Sequence, residues 1–244
     1  PTPMAQNLMP EVQTALKQLN SALQKAHIFD ASVSDKTYCL AMRDIIESTM
    51  LPPMIQTLSE RAPKVRLASV RIERKEMAQK LASGEVDFAV DILLPNQDNI
   101  KHRKLIEDDL VILTNKSHHA SGTAINEDQY LKAKHILVST RASGPNLVDY
   151  ALSTSGLERD IGLRCQHYYA ACQVVNKTDL VLTMPKHYAQ VLVQHFDNIE
   201  VHPLPFNSGN IDMHLYWHQN RDTDAANVWF REFIDETIGN WVDV

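Results

Sequence analysis

Cysteine, glycine and long apolar runs are all scarce in this chain, and each scarcity closes off a class of protein. The three cysteines, Cys39, Cys165 and Cys172, are odd in number and widely spaced. No disulfide framework is expected from them, and a reducing cytoplasm suits them best. Cys165 and Cys172 form neither a C-x-x-C pair nor neighbours on one helical face, so ordinary buried thiols are expected in place of a redox switch. The seven glycines leave little material for a phosphate-cradling loop. There is no Walker A loop, no G-x-G-x-x-G after a strand, no G-x-S-x-G elbow and no H-E-x-x-H. No acid, base and nucleophile set stands out, so an enzyme is not expected. Histidine is abundant at 11 copies. Yet His118 and His119 lack acidic or Cys partners at ligand spacing, and neither a metal nor a cofactor is expected. Nowhere do apolar residues run long enough for a membrane-crossing helix. The first residues hold neither the basic start nor the apolar core of a secretion signal. The net charge is −6. Because nucleic-acid affinity rests on Lys and Arg neutralising phosphates, this stretch is a poor grip for DNA by itself.

What is present begins with a helical pattern over 2–28. Thr2 is a plausible N-cap and Pro3 suits the first helical position. Met4, Leu8, Val12, Ala15, Leu16, Leu19 and Leu23 then recur at three- and four-residue spacing, making one apolar stripe. Such a helix would reach roughly 36 Å, too long to tuck against one small domain. A core helix is the plainer reading. A dimerising or connecting helix fits better, because the pattern runs out into the loose polar stretch Asp30–Lys36.

Beyond it the pattern becomes α/β. Strands are predicted at Thr37–Met42, Val65–Ile72, Val86–Asp91, Leu110–Thr114, His135–Ser139, Leu163–His167, Leu180–Thr183 and Met213–Trp217, with Val201–Pro205 extended. Helices are predicted at Ile45–Arg61, Arg74–Ser83, Asn146–Ser155, Tyr169–Lys177, Pro185–His195 and Ala225–Ile238, with Pro52 and Pro53 straining the first turns of the first. Gly84 is a natural left-handed helix stop. Alternating strands and helices argue for parallel β-α-β units, and the length suits two α/β halves.

Several segments, in this order, resemble the LysR-type transcription regulators. Pro1–Glu11 (PTPMAQNLMPE) is similar to that family's passage into its linker helix. Leu51–Pro53, then Ala62–Pro63 and Val65, match its first helix and second strand. Leu81–Val90 (LASGEVDFAV) resembles its most recognisable run, and Asp108–Thr114 (DDLVILT) with Leu180–Pro185 (LVLTMP) continue the match. The ending Leu215–His218 (LYWH) resembles the branch holding LeuO and NodD-like regulators. The resemblance covers nearly the whole chain. It implies an α/β fold of two Rossmann-like subdomains, as in type 2 periplasmic binding proteins, preceded by a long linker helix. Residues 1–28 would be the dimerisation helix, with Leu8, Val12, Leu16, Leu19 and Leu23 on its seam. Subdomain I would join 36–110 to 209–244, and subdomain II would be 111–208, with crossings near Leu110–Asn115 and Val201–Phe206. A small-molecule effector would sit in the cleft. Promoter DNA would be bound by a winged helix-turn-helix upstream of Pro1, and the protein would be a cytoplasmic homodimer or homotetramer.

Open parallel sheets bind ligands beyond the carboxyl ends of their strands, which picks out the loops that would form the site. On the first half these offer Arg43, Asp44, Ile45, Arg71 and Asp91. On the second they offer Ser139, Arg141, His167, Tyr168 and Tyr169. Many relatives place Ser or Thr at the first of these loops, where Arg43, Asp44 and Ile45 stand here. Arg43 could hold a carboxylate two-pronged, or be occupied by Asp44 in a pair that only shapes the cleft. Tyr168 and Tyr169 could form an aromatic wall or pack inward, and Met184 could line the same pocket or fill a gap. A solute-binding protein of the same fold and a small α/β enzyme are the alternatives. The absent secretion signal and unpaired cysteines oppose the first, and the missing catalytic set opposes the second.

Overall fold

The computed structural model describes residues 29–95, 97–117, 124–141, 143–209 and 211–239, together with Val12. Val12 is helical and exposed. The rest of the expected 1–28 helix, including Leu8, Leu16, Leu19 and Leu23, lies outside the described residues, as do His118 and His119.

Among the described residues ten strands form two five-stranded sheets. The first contains β1 (Thr37–Ala41), β2 (Arg66–Val70), β3 (Phe88–Ile92), β4 (Ile100–Asp108) and β10 (Ile211–His218), in the order β2-β1-β3-β10-β4. The second contains β5 (Leu110–Asn115), β6 (Lys134–Val138), β7 (Asp160–Cys165), β8 (Val181–Pro185) and β9 (Ile199–Pro203), in the order β7-β6-β8-β5-β9. Both follow one plan. A central strand, β1 or β6, is flanked by two parallel neighbours, and a return strand, β10 or β5, pairs antiparallel on both sides. The chain passes between the sheets at Asp109 and again between β9 and β10. Leu110–Asn115, where the first crossing was expected, is β5 itself and buried along its whole length. Such continuous apolar strands are what a sheet covered on both faces requires.

The helices are α1 (Asp44–Arg61), α2 (Met77–Ser83), α3 (Glu127–Lys132), α4 (Leu147–Thr154), α5 (Tyr168–Val175), α6 (Lys186–Val193) and α7 (Ala225–Gly239). Pro52 and Pro53 lie in the middle of α1, not in its first turns, and the helix runs through them. A proline inside a helix costs about 3 kcal/mol or more. Against that, Ile46, Met50, Met54 and Leu58 bury one stripe of α1 in the first core, and each such side chain contributes about 1.5–3 kcal/mol. Packing therefore outweighs the lost backbone bonds. Thr49 Oγ1 also donates to the Ile45 carbonyl at 2.9 Å, and Thr57 Oγ1 to that of Pro53 at 3.0 Å. That core closes on α7, where the Phe230 ring stacks on Tyr38 at 3.9 Å between centroids. The second core joins Leu113, Ile136 and Leu182 of the sheet to α5 and α6. Met184 is fully buried in it and does not reach a pocket.

Two elements had no counterpart in the sequence reading. β4 (IKHRKLIED) is an edge strand whose Lys and Arg residues obscure its alternation. α3 is short, but the Asn126–Gln129 capping box marks its start, with both reciprocal bonds present. No helix among the described residues is long and apolar enough to cross a membrane.

Candidate ligand cleft

Between the two sheets lies a cavity of about 700 Å3, lined from both sides. Its first wall is the N-terminus of α1 and the ends of β3 and β10. Its second is the loop after β6, the start of α4 and the first turns of α5 and α6.

Arg43 is the N-cap residue of α1, in extended conformation and without a side-chain cap bond. Its guanidinium turns away from Asp44 and towards Asp91, with Nε 3.8 Å from Oδ2. Among the described residues that buried Nε has no hydrogen-bond partner. Asp91, 5% exposed at the end of β3, is already held two-pronged by Arg74, with Nε to Oδ2 at 2.8 Å and Nη2 to Oδ1 at 2.7 Å. The Asp91 hydrogen bond raises the pKa of the Arg74 guanidinium despite its burial. Arg74 is thus the basic residue that the loop after β2 sends into the cavity. Arg71, expected in that role, is exposed and does not line it. The expected Arg43–Asp44 pair does not form either. Asp44 lines the cavity and pairs with His167, Oδ2 to Nδ1 at 3.2 Å, linking the loops after β1 and β7.

Ile45, Ser139 and Arg141 line the cavity as the sequence suggested. Ser139 Oγ accepts from the Arg141 amide at 3.1 Å, and the Arg141 guanidinium donates to the Pro145 carbonyl. Tyr168 lines the cavity and meets Tyr188 edge to face at 5.8 Å. Burial, reinforced by Asp44, pushes its phenol well above the usual range, so it stays a neutral donor. Tyr169 and His167 do not line the cavity. Tyr169 is 52% exposed and lies over Phe196, because the two tyrosines begin a helix and point to different faces. His167 is the exposed N-cap position of α5.

Sequence reasoning also missed Asp108, His187, Tyr150 and Asn146, all of which line the cavity. Asp108 ends β4, 8% exposed, with His187 Nδ1 at 2.9 Å from its Oδ1 and the His187 amide donating at 3.3 Å. Helix N-termini attract anions, but here protein groups already occupy several of them. Asp44 and Glu47 stand in the first turn of α1, Asp108 at the start of α6, and Asn146 with Asp149 at the start of α4. Groups left to meet a ligand include the Arg43 guanidinium, the Tyr168 hydroxyl and the side chains of Thr140 and Gln166, beside apolar residues such as Ile45, Val90, Val138 and Leu147. Among the described residues no group of three or more His, Cys, Asp and Glu side chains could hold a metal ion.

Comparison with known proteins agrees with this geometry. The family model described as LysR substrate binding domain matches residues 32–239. The transcriptional activator NahR of Pseudomonas putida is 31% identical over 96% of this chain and 78% of its own length. Nodulation protein D 1 of Bradyrhizobium sp. (strain NC92) is 25% identical over 98% of this chain and 76% of its own, which fits the NodD-like ending. The crystal structure of a probable transcriptional regulator from Pseudomonas aeruginosa superposes with a TM-score of 0.79 at 28% identity, covering 97% of this chain and 78% of that one. The paired sheets are the type 2 periplasmic-binding-protein-like fold of such domains. Relatives of this kind regulate transcription and set aside the transport and enzyme alternatives. The chain belongs to the LysR family of transcription regulators and carries the family's effector-sensing domain.

Proposed function

We propose that the cleft binds a small organic acid with an apolar, preferably aromatic body, and that this ligand sets the relative arrangement of the two halves. Subdomain I is taken as 36–110 plus 209–244 and subdomain II as 111–208; the grouping of β1–β4 and β10 in one sheet and β5–β9 in the other supports a division of this kind. The observation that carries the reading is a roomy cavity into which Arg43 brings a guanidinium with an unsatisfied Nε. A carboxylate would complete that guanidinium with charge-assisted bonds, while the apolar lining takes the ligand's body, as small-molecule sites commonly do. A ligand shifts such an equilibrium only by its difference in affinity for the two arrangements. Asp44–His167, which links the halves directly, is one contact that would differ between them. In the whole regulator, DNA is read by a winged helix-turn-helix preceding this chain, in keeping with a net charge of −6 here. Pairing of the 1–28 helices makes a homodimer or homotetramer that works in the cytoplasm.

A thermal-shift screen against aromatic acids, amino-acid derivatives and cyclic dipeptides tests the ligand. A compound at 100 times its Kd stabilises the native state by about 2.7 kcal/mol, an easily seen rise in Tm. Arg43→Ala should abolish that rise while leaving the ligand-free Tm nearly unchanged. A full response in Arg43→Ala would remove Arg43 from the site.

A further inference from the structure

We infer that Arg159, which lies outside the cavity, is the positioning residue for one of its walls: it fixes where the first turn of α4 stands and hence where Leu147 and Tyr150 meet a ligand. The inference rests on the cleft being the effector site. Leu147 and Tyr150 line the cavity although they are largely exposed, so nothing packed over them dictates their position. The loop that leads into α4 is polar and thinly bonded. Among its described residues the ties are the Ser139 amide bond to the Cys165 carbonyl at 2.8 Å, the Arg141 contacts described above and the Arg164 Nη2 bond to the Gly144 carbonyl at 2.9 Å. The wall has to be held from behind.

Arg159 is what stands there. Its side chain is 2% exposed, and its guanidinium grips both members of the α4 capping box. Nε donates to Asp149 Oδ1 at 2.7 Å and Nη2 to Asn146 Oδ1 at 3.1 Å. The box itself stays intact, with the Asn146 amide to Asp149 Oδ2 at 2.7 Å and the Asp149 amide to Asn146 Oδ1 at 3.1 Å. The third arm, Nη1, reaches Tyr130 Oη at 3.3 Å, which bonds Thr183 Oγ1 of β8 at 2.8 Å. One planar fork thus ties the cap of a cleft-lining helix to α3 and to a strand inside the second sheet. The cap does not need Arg159 to form, since its reciprocal bonds are complete. The guanidinium adds direction: it sets the helix start against a rigid frame. A lysine could keep the charge but not the three directions at once.

The test is hydrogen exchange by mass spectrometry on the whole chain, comparing wild type, Arg159→Lys, and Arg159→Met combined with Asp149→Asn. The double variant leaves no buried carboxylate unpaired. In it, amides over 140–150 should exchange about tenfold faster, while α5 and β8 keep their protection, as a local opening does. Arg159→Lys should fall between. Unchanged exchange over 140–150, an equal rise throughout the chain, or full protection in Arg159→Lys would each overturn the inference. The same variants should reorder the affinities of single-ring and fused-ring aromatic acids that bind the wild type. If no compound binds the wild type, the effector reading fails by itself, and the exchange result still decides the role of Arg159.

Discussion

His135 shows what one enclosed side chain does to the pH dependence of the whole domain. It has no exposed surface, and its Nε2–H donates to the Tyr130 carbonyl at 2.7 Å. Among the described residues its Nδ1 has no hydrogen-bond partner, which suits a neutral ring. Burial pushes the pKa down to about 4, from 6.5. The unfolded chain therefore takes up a proton below pH 6.5 that the folded chain refuses until near pH 4. Stability contributed by the neutral ring is present above pH 6.5 and is lost as pH falls through that window, by about 3 kcal/mol in all. His135→Gln keeps a donor for the Tyr130 carbonyl and does not titrate. Its Tm should fall less steeply between pH 7 and pH 5 than that of the wild type. Parallel curves would show that other groups govern acid stability. At this scale the sequence placed Arg43, Asp91 and Tyr168 at the cavity but chose Arg71 over Arg74. The two lie three residues apart, with Arg71 before the turn and Arg74 at its start. Which of them faces inward depends on where the strand ends and the Arg74–Glu76 turn begins, and no periodicity marks that point. Asp108 and His187 could not be found at all, since they become partners only when β4 and α6 meet.

Elements were legible where a local rule and the packing agreed. Gly84 reads as a helix stop, and it ends α2 at φ 76 in the left-handed region. A Cβ there would meet Arg221 Nη2 at 3.5 Å, an ordinary contact, so the penalty lies in the backbone alone. Gly84→Ala should cost about 1 kcal/mol, read as a lower denaturation midpoint at constant slope. Wild-type stability in that variant would mean that the turn relaxes out of the left-handed region. α1 was legible almost to the residue, expected from Ile45 and found from Asp44, but its prolines fall in mid-helix and not in the first turns, where the stripe from Ile46 to Leu58 holds them in a helix that propensity alone would break. β4 was missed for the opposite reason. Its polar residues suit an edge and hide the alternation that strand reading depends on.

For the whole molecule the resemblance told more than the periodicity. Alternating helices and strands suggest two α/β halves, but they do not reveal that a late strand returns to an interior place in the first sheet. Assembly belongs to this scale as well. If the 1–28 helices pair, Leu16→Glu or Leu19→Glu should shift the sedimentation profile towards a lighter species, since a charge on the apolar seam must be desolvated. An unchanged profile would place the contact elsewhere. The interior position of β10 also bears on how the protein comes into being. β5–β9 are contiguous in the chain, so the second sheet has all its strands once residue 203 has been synthesised. The first has to wait. β10 lies between β3 and β4, and until the ribosome has released residues 211–218 those two strands have no neighbour to join them. The nascent chain thus carries an open β3 edge while residues 93–210 are being made, an interval in which an unpaired strand edge invites chaperone capture.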